Sequence, residues 1–196
     1  MGGMSNATTQ TPAAPPAPLT LRQRVLMRLF NFYPPFLGAG IRVVSVSPDW
    51  SAIKVRLALN WLNRNLFGTQ FGGSLYAMCD PFFVIILARH LGADYIVWDK
   101  AATIQFLRPG RGPVTATFHI PPETIDEIRA LADRGEKLEP VFQVDVVDDE
   151  RQVIAQVEKR LWVRKKGLTP LPGLTATPPP SRDESSGEGG GAGGGG

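Results

Sequence analysis

Apolar and polar positions alternate along residues 51–59: Ile53, Val55, Leu57 and Leu59 fall on one side, Lys54 and Arg56 on the other. A two-residue period predicts a half-buried strand. Residues 41–47 predict another, and Ser47-Pro48-Asp49-Trp50 between them is a turn signal, so the two form a hairpin. Residues 95–107 read as a long strand, strongest from Ala102 onward. Residues 114–120 alternate with Val114, Ala116, Phe118 and Ile120 inward. Residues 141–147 and 153–163 are strands joined by Asp148-Asp149-Glu150-Arg151. The last sets Val153, Ala155, Val157, Lys159, Leu161 and Val163 against Ile154, Gln156, Glu158, Arg160 and Trp162.

Three stretches follow a helical period instead. Residues 19–32 form an amphipathic helix capped by Thr20, with Leu21, Val25, Leu29 and Phe32 on one face. Arg22, Arg24 and Arg28 lie away from that stripe, and Pro34-Pro35 end the helix. This face is expected to pack on its own domain. Residues 72–91 are apolar nearly all round, which predicts a helix buried on several sides and stopped by Gly92. Pro81 inside it removes a backbone bond and clashes with the carbonyl of Ala77, so a kink or break is expected near Asp80. Pro121-Pro122-Glu123 open a short helix in which Ile125, Ile128 and Leu131 share a face and Gly135 stops the run. Strands on both sides of one apolar helix indicate an α+β fold, a single antiparallel sheet curved around a long central helix.

Composition adds the ends. Residues 1–18 carry no charge and four prolines, and residues 168–196 run through a triple proline into GEGGGAGGGG. Such segments bury too little apolar surface to offset the entropy of ordering and are expected to be disordered. Residues 19–167 remain as one domain. The net charge of +3 is scattered, without a basic run interleaved with aromatics, so nucleic acid is not an expected partner. The single cysteine, Cys79, allows no internal disulfide and fits a reducing, cytoplasmic setting. His90 and His119 lack metal-motif spacing, so no metal or other cofactor is expected. No secretory signal is evident, and residues 82–88 are too short to span a bilayer; stable membrane insertion is not expected.

The candidate chemistry sits in residues 63–81, NRNLFGTQFGGSLYAMCDP. Gly72-Gly73 open the apolar helix, where backbone amides lack helical partners and sit at its positive end. Such amides polarise a carbonyl, and glycine lets a ligand approach closely. Asp80 follows about two turns later, and Asn65 lies upstream of the turn. An amide donor, a carboxylate and a carboxamide could hydrolyse an ester or thioester without a serine or cysteine nucleophile. The alternative reading of the same residues is a tight strand-to-helix turn followed by a helix boundary.

These residues resemble the helix-start motif of the PaaI-like acyl-CoA thioesterases of the hotdog superfamily. That motif is an Asn, a glycine-containing turn, His-Gly-Gly, and an Asp seven residues after the second Gly; Asn65, Gly68, Gly72, Gly73 and Asp80 match it. The wider pattern FGGSLYAMCDPF…DYIVWDKAATIQF is similar to the DUF4442 branch, over about residues 35–164. The resemblance implies a hotdog fold, an acyl-CoA or other acyl thioester as substrate, and a homodimer or homotetramer with sites shared between subunits. It implies Asp80 as base or nucleophile, Asn65 to orient water or the carbonyl, and the Gly73 amide as oxyanion donor. Gly72, Phe71, Ser74, Arg108 and Arg111 are then the expected substrate contacts, the arginines toward coenzyme A phosphates. One position departs: the motif His is Phe71, which offers no hydrogen bond. That departure leaves two other readings, a non-catalytic acyl-CoA or fatty-acyl binder and a structural oligomerisation domain.

Overall fold

The computed structural model describes residues 29–167 together with Leu21 and Val25. The stretches expected to be disordered, 1–18 and 168–196, lie outside the described residues. In chain order the elements are α1 (Pro34–Ala39), β1 (Ile41–Val46), β2 (Ala52–Leu57), α2 (Gly72–Ala77), α3 (Phe82–Leu91), β3 (Tyr95–Phe106), β4 (Val114–His119), α4 (Pro122–Asp133), β5 (Val141–Asp148) and β6 (Val153–Lys165).

The six strands form one antiparallel sheet in the order β1-β2-β4-β5-β6-β3. The β1–β2 hairpin closes through Ser47–Trp50, with the Trp50 amide donating to the Ser47 carbonyl at 3.0 Å. On β2, Ile53, Val55 and Leu57 are buried as their alternation demands; on β4, Val114, Ala116 and Phe118 are. Against this face lie α2 and α3. Leu75, Met78, Phe82, Phe83, Ile86 and Leu87 are buried, and Phe83 sets its ring edge against Phe118 and stacks on Phe142. By length and hydropathy alone, Gly72–Leu91 would serve as a bilayer-crossing helix. In this fold it is the core around which the sheet curves.

That central helix is broken where Pro81 stands. The Cys79 amide donates to Tyr76 and the Asp80 amide to Ala77, so the last turn of α2 tightens to a three-residue spacing. Regular bonding resumes with Ile85 donating to Pro81, which caps α3. A proline amide cannot bond Ala77, and the Asp80 amide takes that carbonyl instead.

The first helix differs from expectation. Its predicted stripe is not packed: Leu21, Val25, Leu29 and Phe32 are all at least half exposed. Contact runs through the neighbouring residues. Phe30 packs on the core, and Asn31 accepts from the Val43 amide at 2.8 Å and donates to the Val43 carbonyl at 3.3 Å. The reason lies in β1, an edge strand whose outward backbone groups need partners. A carboxamide supplies both a donor and an acceptor, so Asn31 satisfies the edge while Phe30 packs beside it.

Gly40 joins α1 to β1 with φ at +78°, and a Cβ there would lie 2.5 Å from the Asn63 carboxamide nitrogen. That nitrogen donates to the carbonyls of Ala39 and Ala58. Gly40→Ala therefore adds left-handed strain and disturbs two hydrogen bonds. We expect a loss of about 1–3 kcal/mol in urea unfolding; an unchanged midpoint would refute this account.

Candidate active site at the break in the central helix

Asn65 is placed by its own turn. Its Oδ1 accepts from the amides of Phe67 (2.9 Å) and Thr69 (3.0 Å), and its Nδ2 donates to Thr69 Oγ1 (2.9 Å) and the Gln70 carbonyl (3.2 Å). The carboxamide thus holds the turn that delivers the chain to Gly72. From there the Ser74 and Leu75 amides bond back to the Phe71 carbonyl, leaving those of Gly72 and Gly73 without helical partners. Ser74 is buried in the first turn.

A cleft of about 360 Å³ opens at this helix start, lined among others by Asn65, Gln70, Gly72, Phe106 and Arg108. The Phe106 ring lies so close to Gly72 that a Cβ there would be 3.1 Å from it. Arg108 donates to the Val153 carbonyl at 3.3 Å, and Arg111 stands exposed in the β3–β4 turn. Phe71 is not part of the cleft wall. Its exposed ring folds over Gly73, 2.5 Å from where a Cβ would stand. The aromatic residue in the motif His position therefore packs over Gly73, whose amide is the expected oxyanion donor.

Asp80 lies at the other end of α2, outside this cleft, and its partners come from the sheet. Lys159, fully buried on β6, donates from Nζ to Asp80 Oδ1 at 3.0 Å and pairs with Asp99 Oδ2 at 3.0 Å. The Tyr76 hydroxyl lies 3.5 Å from the same nitrogen. The side chain of Asp80 remains 51% exposed, so its second oxygen is left to solvent or substrate. Asp99 reaches the cluster because β3 bulges between Asp99 and Ala101. Asp99 pairs with Leu161 and Ala102 with Lys159, so residues three apart on β3 share one face. Asp99 thus meets a lysine inside its own chain, while Lys100 pairs separately with Glu139.

Electrostatics follow from this packing. Burial pulls the Lys159 ammonium down, but hydrogen bonds and charge from Asp80 and Asp99 outweigh it and hold the group above its ordinary value. Burial raises Asp99, against the opposing pull of Lys159, and raises the Tyr76 hydroxyl. Burial pushes the Cys79 thiol up to about 12, which removes it as a nucleophile near neutrality. Because the Lys159 pKa is raised on folding, its stabilisation is complete below the ordinary value of 10.5 and is lost as pH rises through the folded value. Alkaline titration of stability is expected to show this loss, with a slope up to about 1.4 kcal/mol per pH unit. Subtracting a Lys159→Met curve isolates it from the exposed Lys165–Asp133 pair. A difference curve flat across that range would refute the assignment.

Sequence reasoning singled out Asp80 and did not place Lys159, Asp99 or Tyr76 beside it. The signal for Lys159 was its place on β6, one lysine within an otherwise apolar alternating set. Among the described residues, no group of three or more His, Cys, Asp or Glu side chains converges as metal ligands would.

Residues 22–163 match the profile of a family described as a domain of unknown function, DUF4442. The chain belongs to the DUF4442 family. No curated protein matches it in sequence. Solved structures share its fold, the hotdog fold. A Pseudomonas aeruginosa protein of unknown function, called a probable thioesterase, is 21% identical, with a TM-score of 0.63 over 76% of this chain and 97% of its own. A Chlorobaculum tepidum protein of unknown function is 17% identical, with a TM-score of 0.60 over 74% and 94%. A Haemophilus influenzae thioesterase is 17% identical, with a TM-score of 0.54 over 75% and 93%. Among the described residues of this DUF4442 chain, the cluster at Asp80 and the cleft at Gly72 are the candidate sites.

Proposed function

We propose that this DUF4442 protein is a cytoplasmic thioesterase-like hydrolase of acyl thioesters, with acyl-CoA as the working substrate. The observation that carries the reading is Asp80: one oxygen is tied to buried Lys159, and the half-exposed carboxylate stands at the helix break. A carboxylate held in this way takes a proton from water as the water attacks the thioester carbonyl. Oxygen adds to the carbonyl carbon, the C–S bond breaks, and the products are a carboxylic acid and a free thiol, the thiolate taking up the proton.

The helix-start amides are the oxyanion donors in this scheme. Gly73 and Asp80 are seven residues apart, about 10 Å along a helix, too far to act on one carbonyl within a chain. The site is therefore shared between two copies, with Gly73 of one protomer beside Asp80 of its partner. Strand β3 supports this arrangement: its 12 residues form one edge of the sheet, and most are exposed. An open edge of that length is a ready template for strand pairing.

The test is free-thiol release from acetyl- to dodecanoyl-CoA and an aryl-CoA, with saturable binding measured in parallel. Turnover that depends on Asp80 supports the hydrolase. Binding without turnover favours the second reading, an acyl-CoA binder, which rests on the Phe71 ring covering Gly73. Under the hydrolase reading, Phe71→His should place a hydrogen-bonding group beside Gly73, raising turnover at least about tenfold. No change in rate would count against a role for this position.

A further inference from the structure

A cavity of about 400 Å³ lies against Pro81, the residue after the candidate carboxylate, and outside the helix-start motif. Its walls among the described residues are Leu29, Phe30, Tyr33, Phe36 and Pro81, whose side chains are all hydrocarbon apart from the Tyr33 hydroxyl. Pro81 is the residue next to Asp80, so the cavity and the carboxylate share the break between α2 and α3. The inner wall is firm. Phe36 is buried, Tyr33 meets it edge-on at 5.3 Å, and Phe36 packs on Phe82 at 5.9 Å. The outer wall is open, since Leu29 and Tyr33 are both more than half exposed.

We infer that this cavity receives the acyl chain of the substrate, so that the protein selects thioesters of extended aliphatic acids over short ones. The inference rests on the proposed thioesterase reading and adds to it a subsite built by the N-terminal helix and α1. Three features favour an acyl chain as the occupant. The described lining residues carry no charged side chain, the volume lies within the range of small-molecule sites, and Pro81 in the wall directly follows the carboxylate that would meet the thioester. A flexible hydrocarbon entering there loses water along its length, while its carboxyl end stays by the polar cluster of Asp80 and Lys159.

The experiment compares kcat/KM for acetyl-, butanoyl-, octanoyl- and dodecanoyl-CoA in the wild type, Leu29→Trp and Leu29→Ala. In the wild type each methylene taken into the cavity is expected to raise kcat/KM by about fourfold, which is about 0.8 kcal/mol. Leu29→Trp should fill the cavity and lower the octanoyl-to-acetyl ratio by about tenfold or more. Leu29→Ala should shift the optimum toward longer chains. A wild-type profile that does not rise with chain length, or a Leu29→Trp ratio equal to that of the wild type, would overturn the subsite while leaving thioester hydrolysis in place. Binding of S-alkyl-CoA thioethers of the same lengths is measured alongside, so that absence of turnover still decides the matter. Affinity that climbs with length and falls in Leu29→Trp supports the subsite; affinity independent of length overturns it.

Discussion

Asp80→Asn is expected to lower acyl-thioester turnover by about 10²–10⁴-fold while leaving substrate binding and the fold in place. Asparagine keeps the shape of the side chain and an oxygen that can accept from Lys159, 3.0 Å away in the wild type. Lys159 also retains Asp99, so the buried ammonium is not stranded. What the variant lacks is a carboxylate able to take a proton from water. Thiol release reads the chemistry and acyl-CoA titration reads the binding. Equal turnover in the two proteins would remove Asp80 from the mechanism, and loss of binding in step with turnover would make it a substrate contact instead.

Lys159→Met is expected to cost about 3–5 kcal/mol of stability. Methionine suits the apolar surroundings of β6, but Asp99 then keeps its partly buried position without its counter-charge. Asp80 is half exposed and can return to water, so most of the loss comes from Asp99. Adding Asp99→Leu should recover much of it, because removing both members of a buried pair costs far less than removing one. Urea unfolding followed by tryptophan fluorescence measures both variants. A loss below about 1 kcal/mol for Lys159→Met, or no recovery in the double variant, would show that the cluster does not hold the sheet to the helix. Loss of turnover in the double variant, with stability restored, would identify Lys159 as a positioning residue for Asp80.

Much of this fold was legible because its signals are local. The alternation of Ile53, Val55 and Leu57, the Ser47–Trp50 turn and the Pro81 interruption each act within a few residues, and each produced the expected element. The polar cluster was not legible in the same way. Asp80 and Lys159 are 79 residues apart, and they meet only because the sheet curves β6 under α2. The inward turn of Asp99 depends on a bulge that shifts the parity of β3, and no residue pattern announces it. The first helix shows a third limit. Periodicity picked out Leu21, Val25, Leu29 and Phe32 as the packing stripe, yet these are exposed, and the contact with the edge strand is made by the Asn31 carboxamide. The carboxamide of Asn65 matched its motif by position, and only the structure shows that its hydrogen bonds are spent on holding the turn.

The Asn31 contact has a consequence for how far such a sheet can grow. Of the two rims of the six-stranded sheet, the β1 rim is plugged at Val43 by a side chain that satisfies its amide and carbonyl together. The β3 rim has no such plug among the described residues. A sheet with one usable rim can be joined once. A second copy meeting it through β3 would use up the open row of backbone groups there and leave outward the two β1 rims, each engaged by Asn31 at Val43. Growth into fibres, the hazard of any exposed strand, is thereby limited by a single asparagine on the far side of the molecule.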